Sequence, residues 1–174
     1  AIIEAVTDAT YEKYVQEHLF SPLGMKATYF DRNQRVILNR ASGYGLDAKG
    51  TLVHAEFIEM SFPHAAGSLA STVEDLYIWD RALQGDTLLS KQSREQLFQI
   101  QAASEANQIA YGYGFFIDNE KHTVGHMGSI EGFRAALYRH VDEDATLIIL
   151  SNREDTQAVA LEQKLSSIMS SWRS

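Results

Sequence analysis

The sequence predicts an α+β fold: an antiparallel sheet of about four strands, a C-terminal helix over it, and helices at the N-terminus. Three observations carry that expectation. Apolar residues recur at helical spacing in the first half of the chain, with loop-forming stretches between them. The second half holds runs of strand formers separated by turns rich in Asp, Asn, Glu and Gly, too short for any but antiparallel neighbours. The chain then closes on a second helical stripe. Residues 1–105 therefore read as mostly helix and loop, residues 106–174 as sheet plus terminal helix, and residues 1–174 together as one domain.

Taken in order, Ala1 to Val6 read as the tail of a helix, and Thr7 to Thr10 as a turn that caps the next one. Tyr11, Tyr14, Val15, His18 and Leu19 fall on one face of an amphipathic helix, which Pro22 and Gly24 end. A hairpin is expected around Asp47 to Gly50, with Tyr44 and Leu46 on one arm and Leu52 and Val53 on the other. Ser71 and Glu74 have the spacing of a capping box, and the helix behind them presents Leu76, Ile78, Trp79 and Leu83. Ser90 opens a further helix through Leu97 and Ile100, and Ala102 to Asn107 read as loop.

Four strands are expected over Tyr111 to Ile117, Lys121 to His126, Phe133 to Val141 and Thr146 to Ser151. The run Leu147 to Leu150 is apolar on both faces, which predicts a strand at the sheet centre covered front and back. Ala158, Leu161, Leu165, Ile168 and Trp172 supply the terminal helix.

Composition narrows the function. With 174 residues, 45% of them hydrophobic, the chain has the material for one core. A formal charge of −8 argues against nucleic acid as a partner, and no apolar run approaches the roughly 18 residues that span a bilayer. There is no cysteine, hence no disulfide framework. No metal or other cofactor is expected. His122 and His126 fall four apart on the expected strand, but no third ligand accompanies them.

The stretch with most chemical content is Gly125-His126-Met127-Gly128-Ser129, followed by Gly132-Phe133. Glycines this dense are a poor choice for a packed strand and a good one where a backbone or ligand must come close. In its surroundings the stretch resembles the last motif of the penicillin-recognising serine hydrolases: class C β-lactamases, D,D-peptidases and related esterases. His126-Met127-Gly128 takes the place of the Lys-Thr-Gly triplet, which is often His-Thr-Gly or His-Ser-Gly in the esterase and peptidase branches. Ser21-Pro22-Leu23-Gly24-Met25 with Thr28, Ala65 to Thr72 with Asp75-Leu76, Tyr113-Gly114-Phe115 and Leu150-Ser151-Asn152 match further family segments in family order.

The resemblance implies an acyl-serine mechanism, with the Ser129 backbone amide as one oxyanion donor. It implies that His126 places a donor near a substrate carboxylate or a base tyrosine, and that Gly128 lets the substrate backbone approach. Met127 departs from the family, which usually has a carboxylate-binding hydroxyl there. A thioether cannot donate, which favours an esterase or an atypical peptidase over an enzyme for penicillin-like or D-Ala-D-Ala substrates. His126 and Ser129 are thus the catalytic candidates, Met127 and Gly128 the substrate-binding ones.

The rest of the machinery is missing. No serine has lysine three residues on, and neither Tyr-x-Asn, Ser-x-Asn nor Gly-x-Ser-x-Gly occurs. In the family the Ser-x-x-Lys and Tyr-x-Asn (or Ser-x-Asn) motifs precede the segment that residues 1–25 resemble. The chain is therefore expected to be the C-terminal part of a longer hydrolase, inactive alone. The alternative is a non-catalytic module that binds a small molecule or peptide on the same fold. The expected partners are the missing N-terminal half, or another copy pairing along strand 146–151.

Overall fold

The computed structural model describes residues 2–104 and 109–171. Its N-terminal part is a run of helical turns. Helix α1 spans Ile2–Thr7, α2 spans Tyr11–Val15, a wider π turn follows over Gln16–Phe20, and α3 covers Ser21–Leu23. The Thr10 side chain caps α2 by accepting from the Lys13 amide, and Gly24 stops α3 at φ 72°, where a side chain would be strained. Val15, Phe20 and Met25 form a buried cluster, against which Ile78 and Trp79 of helix α4 (Val73–Gln84) pack. The apolar faces expected of these two helices thus meet each other.

Between them run two small antiparallel pairs. Strand β1 (Tyr29–Phe30) pairs with β4 (Leu69–Ala70), and β2 (Tyr44–Leu46) pairs with β3 (Leu52–His54) around the expected Asp47–Gly50 turn. The Asp47 carboxylate accepts from the Lys49 and Thr51 amides, which closes that turn and lowers its pKa. Asp75, in the first turn of α4, accepts from the Ala27 amide and the Thr28 hydroxyl, tying the segment after Gly24 to the helix.

The capping box does not form. Thr72 is the N-cap and accepts from the Asp75 amide, while the Ser71 hydroxyl pairs with that of Thr28. One residue decides this, because the extended backbone at Thr72 aims its oxygen at the free amides. Helix α5 (Lys91–Leu97) starts at Ser90 as expected and ends before Ile100.

Among the described residues the main sheet has six strands in the order β10-β9-β8-β7-β6-β5, all antiparallel. They are β5 (Ala102–Ser104), β6 (Ile109–Tyr111), β7 (Phe116–Asp118), β8 (Thr123–Ile130), β9 (Phe133–His140) and β10 (Ala145–Ser151). Three expectations change. Ala102 to Ser104 form a strand where loop was expected; the remainder of that stretch lies outside the described residues. The run Tyr111 to Ile117 breaks into β6 and β7 at a turn that places Gly114 at φ 86°. Strand β10 lies at the sheet edge rather than its centre.

Both faces of β10 are nevertheless covered. Arg139 and Thr146 stand opposite each other on one face and reach Asp80 of α4, at 2.9 Å and 2.7 Å. Next along the ladder His140, opposite Ala145, meets Glu162 of helix α6 (Ala158–Ser171) on the other face at 3.1 Å. Period-two alternation gives α4 one side of the sheet and α6 the other. Trp172, expected on the terminal helix, lies outside the described residues.

Asp80 is fully buried and hydrogen-bonded to Arg139, Thr146 and Gln84. Asp80→Ala leaves the Arg139 guanidinium buried without its counter-charge, so it should destabilise the chain by about 3–5 kcal/mol in urea unfolding. Loss of less than about 1 kcal/mol would show that the pair does not hold α4 to the sheet.

Candidate active-site strand

All four candidate residues lie within β8, which runs unbroken from Thr123 to Ile130, well past the expected end at His126. Two neighbours frame the strand. Its β9 side is paired throughout, from Thr123 opposite His140 to Ile130 opposite Phe133. On the other side β7 pairs only with Thr123, Val124 and Gly125. From His126 onward that side of β8 has no strand beside it among the described residues, and His126, Met127, Gly128 and Ser129 are all exposed.

Ladder alternation fixes which backbone groups the open side presents. The β8–β9 turn has two residues, Glu131 and Gly132, so Ile130 and Phe133 exchange the first pair of hydrogen bonds. Counting back by twos, Gly128 and His126 also turn their N–H and C=O toward β9. Ser129 and Met127 turn theirs to the open side. The amide singled out for oxyanion binding is therefore available to a ligand.

The two motif glycines differ in what requires them. A Cβ on Gly125 would collide with the Leu137 carbonyl oxygen and the Tyr138 ring, so packing alone demands glycine there. Tyr138 fills that space, and its burial pushes the hydroxyl pKa up. At Gly128 a Cβ would meet only the Ala135 methyl group at 3.6 Å, an ordinary contact. Nothing inside this chain requires glycine at 128.

The His126 ring stacks on Phe116 with centroids 4.9 Å apart and meets the edge of Tyr111 at 5.8 Å. Its Nδ1 is bonded to the Met127 carbonyl oxygen. His122 does not belong to the same strand face: it precedes β8 with φ 48° and pairs with Asp142 at 2.7 Å. Arg134 donates to the Ile130 and Phe133 carbonyls and braces the turn.

Tertiary structure brings two of the other matching segments to the same end of the strand. The loop after Pro63 reaches β8 at Gly67, where an added Cβ would lie 3.9 Å from the Ile130 side chain. Asn152, just past β10, accepts from the Tyr44 amide and donates to Ser42, docking the β2–β3 hairpin beside the β8–β9 turn. The Gly132 amide donates to Glu154, and the Gly43 and Gly132 backbones pack too closely for a side chain on either. Sequence reading passed over Glu154 and Gly43, since each matters only through a contact across the chain. Cavities of about 570 and 400 Å³ lie elsewhere, against Thr10, Met25 and Tyr29 and against Glu4, Tyr11 and His64. No residue of β8 lines either one.

Comparison with known proteins agrees with this architecture. The family model for β-lactamase matches residues 1–166, and the chain belongs to that family. It is a β-lactamase-like hydrolase relative with the sheet and helices of the penicillin-binding proteins. A penicillin-binding protein of Bacillus subtilis is 30% identical over 88% of this chain and 37% of its own length. An octameric penicillin-binding protein homologue from Pyrococcus abyssi is 28% identical, with a TM-score of 0.76 over 87% of this chain and 35% of that one. A D-amino acid amidase from Ochrobactrum anthropi is 26% identical, with a TM-score of 0.74 over 87% of this chain and 47% of that one. The chain thus spans roughly a third of the length of the curated relatives it matches.

The glycine contrast is directly testable by chemical denaturation. Gly125→Ala should destabilise by about 1–3 kcal/mol through overpacking. Gly128→Ala should be neutral or slightly stabilising, within about 0.5 kcal/mol, because it adds only an ordinary contact. Equal losses at both positions would remove the distinction.

Proposed function

We propose that this chain is the oxyanion-strand part of a serine hydrolase that cleaves amide or ester bonds through an acyl-serine, and that it is inactive by itself. The observation that carries this reading is the open side of β8, where the Ser129 amide faces solvent next to a glycine that packing does not require. An acyl-transfer site needs donors preset around the developing oxyanion, and a strand amide beside an open edge supplies one without reorganisation. The second donor and the nucleophile come from outside these residues, which contain no Ser-x-x-Lys and no Tyr-x-Asn. In this reading Gly128 admits the substrate backbone, Met127 borders the acyl group and His126 faces the substrate or the base.

Treatment with a fluorophosphonate or a β-lactam should leave the intact mass of this chain unchanged. Adding a segment that carries Ser-x-x-Lys should produce one adduct, on that segment. A stoichiometric adduct on a serine of this chain would overturn the division of roles.

We further propose that the outer edge of β10 is a pairing edge. It has no strand beside it among the described residues, and its run of Leu147, Ile148, Ile149 and Leu150 leaves Leu150 40% exposed. The chain is expected to sediment at micromolar concentration as a dimer, or with a bound N-terminal segment. A monomer would sink the edge-pairing idea.

A further inference from the structure

The hydrogen bond inside the β8 motif defines what kind of group the site can recognise. Ladder alternation turns the Met127 carbonyl to the open side, where no strand among the described residues satisfies it. The His126 side chain folds along the same side, stacks on Phe116, and places Nδ1 on that carbonyl. A carbonyl oxygen can only accept, so Nδ1 carries the proton. In the neutral ring the other nitrogen, Nε2, is then an acceptor. It has no hydrogen-bond partner among the described residues, and His126 is exposed.

We propose that His126 is a hydrogen-bond acceptor at this site, and that the ligand it selects carries an N–H donor, a primary amide or an ammonium group, next to an apolar body. This reverses the donor role expected from the resemblance. Its substrate side rests on the hydrolase reading above; the tautomer does not. The surroundings agree on the sign. Met127 offers a thioether with no donor, 42% exposed. Tyr111 and Phe116 give an aromatic wall beside the imidazole. Arg134, beside the turn that ends the strand, is engaged with the Ile130 and Phe133 carbonyls. Glu131 is exposed at the turn that ends the strand. A carboxylate could reach the Met127 and Ser129 amides along the strand, but at Nε2 it would meet an imidazole lone pair, with Glu131 at the strand's end. An amide or ammonium would find an acceptor and an apolar wall.

Two measurements on the chain as it stands test the proposal. Long-range nitrogen–proton spectra at about pH 8, where imidazoles are ordinarily neutral, should show His126 with its proton on Nδ1. Titration with phenylacetamide, phenethylamine and phenylacetate should then shift the Met127 and Ser129 amides. Either nitrogen probe should bind about tenfold tighter than the carboxylate, the scale of one net hydrogen bond. The two nitrogen probes separate amide from ammonium recognition. In His126→Lys, whose exposed position the fold tolerates, the order should invert in favour of phenylacetate. An Nε2–H tautomer, equal or tighter binding of phenylacetate, no probe shifting the strand, or an unchanged order in the lysine variant would each overturn it. Donor preference without acyl-serine chemistry in the adduct experiment would retire the hydrolase reading alone.

Discussion

The arrangement of the sheet depends on one buried carboxylate. Asp80 lies on the sheet-facing side of α4 with no solvent exposure, and its two oxygens are divided among Arg139 of β9, Thr146 of β10 and Gln84 one helical turn on. An ion in that position is costly unless every lone pair is used, and here the partners come from three elements. The pair fixes the rotation of α4 about its axis, because Ile78 and Trp79 must then face the helical cluster of Val15, Phe20 and Met25. It also fixes the register of β10 against β9, since Arg139 and Thr146 must stand opposite each other. On the far face His140, Glu162 and Ser166 make a smaller node that holds α6.

The site is a by-product of strand lengths. β8 is eight residues long and β7 is three, so among the described residues the stretch from His126 to Ile130 has a strand neighbour on one side only. An open edge in the interior of a sheet exposes backbone donors and acceptors at fixed spacing, which a ligand can use and a packed core cannot. The turn that leads into β7 is built from Gly112 to Phe115, with Gly114 in the left-handed region and the Tyr113 amide bonded to the Leu97 carbonyl. It brings the chain alongside β8 only at Gly125, where the motif begins. The β2–β3 hairpin and the loop after Pro63 close the far end of the strand.

Local chemistry made much of this legible. The amphipathic stripe of Tyr11 to Leu19, the Gly24 stop, the Asp47–Gly50 hairpin and the antiparallel order after residue 109 all follow from spacing and turn residues, and all are present. The failures have a common cause. Ser71 and Thr72 are equally good caps by composition, and the choice fell to Thr28, whose hydroxyl engages Ser71 from another element. The run Leu147 to Leu150 announces cover on both faces; α4 and α6 do lie on opposite faces, but the run is only partly buried and Leu150 is exposed. The run says nothing of neighbours in the plane of the sheet, and edge or centre is a matter of pairing.

For the candidate site, the sequence by itself determined the residue types: glycines that permit close approach, a histidine, a methionine without a donor, and no nucleophile motif. Side-chain chemistry and spacing are written in the chain, so these needed no coordinates. Only the tertiary structure decided which glycine is demanded by packing, which amides face the open side, and which carbonyl the His126 imidazole meets. Each of those depends on an atom many residues away or on the parity of a ladder counted from its turn, and neither is present in the local sequence.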